Sequence, residues 1–403
     1  MLDAFIYDGL RTPIGRHAGK LAPVRPDDLA AEVIREVVAR NALEPREISD
    51  VVLGCVNQAG EDSRNVARFA ALLSGLPPTT PGVTVNRLCA SGLQAVIDSA
   101  RAITVGEGDL YIAGGVESMS RAPYVMSKSD SPYSRDVKLY DTTIGARFPN
   151  AKFVKQFGDH SMPQTGDNVA KDFGITREQA DEFALASQQK YARAEKEGFF
   201  QGEIHAITLP SRKKDAAGEK VNLDEHPRRD ASIDQLAKLK PLFEGGVVTA
   251  GNASGINDGA AALVIGSRAW GNQRGKKPLA RVVSAASAGV EPRIMGVGPA
   301  YAIPRALERA GLSLKDMDVI EINEAFASQV LGCLKLMSVD LKDPRVNPNG
   351  GAIAIGHPLG ASGARLALTV ARELQQSGAR YAAVSLCIGV GQGLAIILER
   401  AAS

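Results

Sequence analysis

The sequence predicts an α/β protein built from two related halves, with a third segment inserted into the first. Three observations carry this. Short runs rich in Val and Ile alternate with helical stretches, the pattern of a buried sheet covered by helices. Four such elements occur twice, in one order. Between the two occurrences the chain changes character, with Pro, Ser and charges in irregular order.

Each element has its counterpart. The helical stretch "DDLAAEVIREVVARNAL" answers "PAYAIPRALERAGL". The strand-like run "ISDVVLGCV" (Ile48–Val56) answers "MDVIEINEAF" (Met317–Phe326). Then "CASGLQAVIDSARAI" (Cys89–Ile103) answers "GASGARLALTVAREL" (Gly360–Leu374). Both contain Ala-Ser-Gly and continue with alanine-rich apolar positions at helical spacing. Strand-like runs close each set, "GDLYIAGGVES" and "ARYAAVSLCIGVG". One matching tetrapeptide has no weight; four elements in one order do. The first half is residues 1–120, resuming over 248–274, and the second is 275–403. The insert, 121–247, holds one clear helix, Thr176–Gly198. Thr176 with Glu178 and Gln179 nearby forms its start, and Gly198 its stop. The basic stretch "SRKKD" in the insert reads as solvated surface.

Composition removes several classes. A chain of 403 residues has room for two or three domains at ~150 residues each. The net charge of +2 offers no global field for nucleic acid or membrane. Aromatics at 5% are too sparse for base-stacking platforms. No apolar run approaches the ~18 residues of a membrane span, and the N-terminus lacks a signal-type stretch. Cys55, Cys89, Cys333 and Cys387 include no CxxC pair, which argues against structural zinc or a redox motif. A reducing, cytoplasmic compartment is expected, with no metal.

Four places carry candidate chemistry. Cys89 stands just ahead of a helix, where free N–H groups favour an anion and lower a thiol's pKa. Taken alone, a buried inert cysteine is the commoner case. His357 sits ahead of the second Ala-Ser-Gly helix, in the mirrored position. If the halves pack as pseudo-symmetric partners, the two helix starts share a crevice, where a His can take a thiol's proton. Cys387 ends a Val-rich run and precedes Gly389, Gly391 and Gly393, whose backbone can approach a ligand and hold an oxyanion. Asn323 ends "EIN", where its amide can serve an oxyanion or a water, with Glu324 beside it. Alone, that Asn-Glu pair reads as the N-cap of the next helix.

Together, "VNRLCASGLQA", "GGVESMSRAPY", "VTAGNASGINDGAA", "NEAFA", "NPNGGAIAIGHPLGASGAR" and "CIGVGQG" resemble the thiolase family of acyl-CoA acyltransferases over almost the whole chain. The resemblance implies a thiolase-like fold, two pseudo-symmetric α/β halves in a five-layer αβαβα arrangement with an inserted loop domain. It implies Cys89 as the acylated nucleophile, His357 as its base and Cys387 as the acid–base at the substrate α-carbon. It implies Asn323 holding a water in one oxyanion hole, and the N–H groups of Cys89 and Gly389 forming a second. Met162 and Ser254 match positions lining the pantetheine of coenzyme A, and Arg228 a basic residue near its nucleotide end. Coenzyme A is then a co-substrate, with no permanent cofactor, and the family suggests a homodimer or homotetramer.

The segment "HSMPQTGDN" has Ser161 where many acetoacetyl-CoA thiolases carry a histidine. With "NQAGEDSRNVAR" and "CIGVGQG", it is similar to 3-oxoadipyl-CoA thiolases of aromatic catabolism. A buried adipyl carboxylate needs a cation; Arg121 and Arg147 are the candidates. The alternatives are a general acetyl-CoA acetyltransferase acting on acetoacetyl-CoA, a ketoacyl synthase, a non-catalytic acyl-CoA-binding protein and a cysteine hydrolase. Cys387 in "CIGVG" favours thiolase over a synthase or hydrolase, which need no second thiol.

Overall fold

The computed structural model describes residues 1–211 and 218–401. Most of "SRKKD" lies outside the described residues. The first half contributes β1 (Ala4–Arg11), α1 (Pro26–Arg40), β2 (Asp50–Gly54), β3 (Gly82–Val85), α2 (Ser91–Thr104) and β4 (Leu110–Ser118). Within the inserted stretch lie α3 (Met162–Phe173) and α4 (Arg177–Lys196), and β5 (Asn257–Gly266) follows. The second half adds β6 (Ala280–Gly289), α5 (Gly298–Ala310), β7 (Val319–Ile322), α6 (Ala327–Leu336), α7 (Leu359–Ser377), β8 (Tyr381–Ile388) and β9 (Gln392–Arg400).

The sheet reads the same from either end. Its order is β7-β8-β9-β6-β1-β5-β4-β2-β3. Pairing β1 with β6, β2 with β7, β4 with β8 and β5 with β9 makes each half the mirror of the other in this list. Even the outermost position matches, because Ile320 of β7 bridges Val346 as β2 pairs β3. The halves join where β1 meets β6 antiparallel, Phe5 opposite Arg281.

Five layers follow from which faces are apolar. α2 and α7 pack on each other and contribute to one core with strands of both halves, including Leu93, Val96, Ala367, Leu263, Val384 and Ile396. α1 covers the first half from outside through Leu29, Val33 and Val37. α5 and α6 cover the second through Ile303, Leu307 and Val330. The order is helix, sheet, helix pair, sheet, helix. β4, β5 and β8 have helices on both faces, and their near-continuous burial reflects this.

The central helices touch at their glycines. A Cβ on Gly363 would lie 2.3 Å from the backbone N of Leu93, and one on Gly92 2.6 Å from the Gly360 carbonyl oxygen. Only a residue without Cβ lets the two Ala-Ser-Gly starts approach this closely. In the insert, α4 begins as its sequence requires: the Thr176 side chain accepts from the Gln179 N–H, and Gln179 returns the bond. Gly198, at φ 76°, ends it.

Candidate active site

The approach of α2 and α7 sets the start of α2 at Gly92 against the start of α7 at Gly360. Cys89 precedes Ala90, the N-cap of α2. Leu88 before it takes φ 45°, a left-handed conformation that a branched side chain adopts only under constraint. Ser91 supplies the constraint: its hydroxyl donates to the Leu88 carbonyl at 2.6 Å and accepts from the Arg87 N–H at 2.8 Å. The backbone N–H groups of Gly389 and of Cys89 itself bear on the Cys89 sulfur and favour its thiolate.

The helix start of α2 predicts a lowered thiol pKa. Instead burial pushes Cys89 up to about 11, with the carboxylate of Glu117 adding to the rise. Two N–H groups do not offset the loss of water. Cys89 therefore rests as a thiol, which becomes a thiolate only where a base takes its proton.

His357 is buried and neutral. Burial first, and the Arg365 guanidinium second, push its ring down to about 3. Ser362 determines which ring nitrogen is free. Its hydroxyl donates to the Pro358 carbonyl at 2.8 Å, so its lone pair accepts from His357 Nδ1 at 2.6 Å. Nδ1 carries the proton and Nε2 the lone pair. Asn323 Nδ2 faces Nε2 at 3.4 Å. The backbone N–H of His357 donates to Asn257 Oδ1 at 2.9 Å, and Asn257 Nδ2 donates to the Gly15 carbonyl.

Asn323 is fully buried at the end of β7, and its N–H bonds the Ser385 carbonyl of β8. Two residues on, Cys387 is fully buried beside Val248, Met295, Ala325 and Phe326. Burial holds its thiol well above the ordinary value, and the neighbouring thiols Cys89 and Cys333 raise it further. Met162 and Ala253 pack on the same cluster. Met162 Sδ lies 3.9 Å from where a Gly389 Cβ would be. The Ser254 N–H donates to the Ala325 carbonyl, which places Ser254 beside "NEAF". Arg228 is exposed, two residues beyond His226, which packs on Gly255. Cys89 thus neighbours Gly389 and Cys387, Met162 packs on the Cys387 cluster, and Asn323 meets His357, while Arg228 lies exposed.

The Asn323–Glu324 pair is not a helix cap. Phe326 holds that position for α6. Glu324 instead accepts from the Ser187 hydroxyl of α4 at 2.7 Å, from Asn347 at 2.9 Å and from the Ile353 N–H at 3.1 Å. It ties the insert to the segment leading into His357. Glu117 plays a similar part: it accepts from the N–H groups of Val56, Asn57 and Gly360. Of the two cations considered for a substrate carboxylate, Arg121 is committed to both oxygens of Glu61 and to the Ala22 carbonyl. Arg147 is half-buried and has no hydrogen-bond or ion-pair partner among the described residues. Sequence reasoning missed Ser362, Asn257 and Glu117. The signal for Ser362 was present, since it mirrors Ser91 in the repeated tripeptide.

The described chain contains no helix long and apolar enough to cross a membrane. Two family models match it, "Thiolase, N-terminal domain" over residues 4–269 and "Thiolase, C-terminal domain" over 276–400. The chain is 56% identical over 402 residues to the 3-oxoadipyl-CoA/3-oxo-5,6-dehydrosuberyl-CoA thiolase of Escherichia coli, covering 99% of this chain and 100% of that one. It is 54% identical over 404 residues to a beta-ketoadipyl-CoA thiolase of Acinetobacter baylyi, with 99% and 100% covered. Among solved structures, the Bacillus anthracis acetyl-CoA acetyltransferase superposes with a TM-score of 0.91 at 39% identity, covering 99% of each chain.

Proposed function

The chain belongs to the thiolase family of acyltransferases, and from that premise we propose that it cleaves 3-oxoadipyl-CoA with coenzyme A to acetyl-CoA and succinyl-CoA. The observation that carries the chemistry is that the Gly389 N–H and the Cys387 thiol both bear on Cys89. The substrate rests on relatives named for it at 54–56% identity.

Each residue takes a step that balances. His357 Nε2 accepts the Cys89 proton as the sulfur attacks the 3-oxo carbon. The oxyanion that forms meets the N–H groups of Cys89 and Gly389. The bond between C2 and C3 breaks, and its electron pair passes to the acetyl-CoA enolate. Protonated Nε2 is now a donor, so it and a water held by Asn323 serve the enolate oxygen. The Cys387 S–H gives its proton to the enolate carbon, and acetyl-CoA leaves. A second coenzyme A thiol gives its proton to Cys387 and attacks the acyl-cysteine. Its collapse releases succinyl-CoA, and Cys89 regains its proton from His357. A thiolate both attacks and leaves well, so one sulfur serves both halves.

Met162 and Ser254 line the pantetheine path, and Arg228 stands toward the nucleotide end. Arg147 meets the terminal carboxylate of the acyl chain, since Arg121 is already paired. The exposed Phe69, Leu72, Leu73 and Val83 support self-association as a dimer or tetramer. Four unpaired cysteines support a reducing, cytoplasmic compartment.

Relative kcat/KM on a panel of 3-oxoacyl-CoA esters tests the substrate. Cleavage of 3-oxoadipyl-CoA should exceed that of acetoacetyl-CoA. Arg147→Ala should cost 3-oxoadipyl-CoA about tenfold or more, the scale of a charge-assisted contact, and spare acetoacetyl-CoA. Equal or better cleavage of acetoacetyl-CoA by the parent enzyme overturns the substrate reading and favours a general acetyltransferase.

A further inference from the structure

Beyond Ser362, α7 buries a charge that the steps above do not use. Arg365 stands one turn further along the helix and is 2% exposed. A buried guanidinium is costly without a counter-charge. Its closest ion-pair partner is Glu321 on β7, also buried, with Nη1 3.9 Å from Oε1. Glu321 is two residues before Asn323. The pair therefore spans the helix that fixes His357 and the strand that delivers Asn323.

The contact is a charge pair without a close hydrogen bond. Arg365 Nη1 and Nη2 and Glu321 Oε1 have no hydrogen-bond partner among the described residues. Other charges surround it. Glu324, Lys190 of α4 and Glu373 of α7 bear on Glu321; Arg11 of β1, Glu203 and Glu324 bear on Arg365. Arg365 is the charge that bears on His357.

We propose that Arg365 and Glu321 are a positioning pair, one that orients His357 and Asn323 and sets how readily His357 takes the Cys89 proton. A guanidinium near the ring disfavours imidazolium, so it hinders the transfer and hastens the proton's return. An ionised Glu321 offsets that field. Burial holds the Glu321 carboxyl up at about 8, with Arg365 opposing the rise. The offset therefore grows as pH rises through that value. This inference rests on His357 being the base.

The test is the pH dependence of Cys89 alkylation by iodoacetamide, read beside kcat and KM. In the parent, alkylation should rise through a limb near the Glu321 value. Glu321→Gln removes its nearest counter-charge from Arg365 at every pH, leaving Glu203 and Glu324 as the others. It should lose that limb and alkylate about tenfold more slowly above it, the effect of one unit of proton affinity, with kcat lowered and KM kept. Glu321→Gln with Arg365→Met removes both charges and should alkylate at least as fast as the parent. A folded Glu321→Gln protein with the parent's rate and profile overturns the proposal. So does a double variant as slow as the single one, which marks lost packing. If Glu321→Gln melts below the assay temperature, the double variant alone decides. His357→Asn is the control for the premise: if it alkylates at the parent's rate, His357 is not the base, and that failure is distinct from the others.

Discussion

Ser362 has one hydroxyl proton, and its use fixes the tautomer of His357. Because it goes to the Pro358 carbonyl, the imidazole must donate Nδ1–H and present Nε2 bare. Ser362→Ala frees the ring to take either tautomer. It should lower kcat by about tenfold to a hundredfold and change KM little, since no substrate contact is lost; steady-state kinetics read this directly. A fall in kcat/KM carried wholly by KM contradicts it. On the proposed mechanism the two thiols divide their work. Cys387→Ser should still form an acyl-enzyme at Cys89, because the nucleophile and His357 remain. It should fail to exchange the α-protons of acetyl-CoA with solvent. Peptide mass spectrometry locates the acyl group, and deuterium uptake reads the exchange. Exchange at the parent's rate removes Cys387 from its role.

At the scale of elements, the site depends on how closely two helix starts approach. Gly363→Ala places a methyl group 2.3 Å from a backbone nitrogen of α2, so helix or loop must shift. Overpacking of this kind costs roughly 1–3 kcal/mol. The shift would also separate the loops of Cys89 and His357. The variant should melt lower, and its kcat should fall by more than its stability loss explains. A variant that melts at the parent's temperature with full kcat would show that the contact has slack. Glu324 joins a third element to this pair, because α4 of the insert reaches it through Ser187.

At the scale of the molecule, buried ionisable groups set a pH window for stability. Burial raises Glu117 to about 7 and Glu321 to about 8 from an ordinary value of 4.5. Their protonated form is favoured on folding, so that stability is complete below 4.5 and lost as pH rises to about 7 and 8. His357 and His226 are lowered from 6.5 to about 3 and about 4. Their neutral form is favoured, so that stability is complete above 6.5 and lost as pH falls to about 4 and 3. The melting temperature should peak between these limits and fall on both sides. Glu321→Gln should flatten the alkaline side, which differential scanning calorimetry across pH can measure. An alkaline limb unchanged in that variant assigns it elsewhere.

The repeat was legible in the chain because each half must build the same strands and helices, and hydrophobic period records this locally. Ala-Ser-Gly at both helix starts, the cap at Thr176 and the stop at Gly198 are likewise short-range signals. They are enough to bring the starts of the two Ala-Ser-Gly helices together as counterparts. Three matters depended on packing across hundreds of residues. The thiol's pKa followed burial rather than the helix end, because desolvation depends on every neighbour and the N–H groups only on the local turn. Glu324 became a clasp rather than a cap, because Ser187 and Asn347 reach it from distant segments. Arg121 lost its place as a carboxylate partner because folding sets Glu61 against it. Sequence patterns fix what a residue can do within a turn of its own backbone. The dielectric around it, and the partner that reaches it first, are properties of the folded whole.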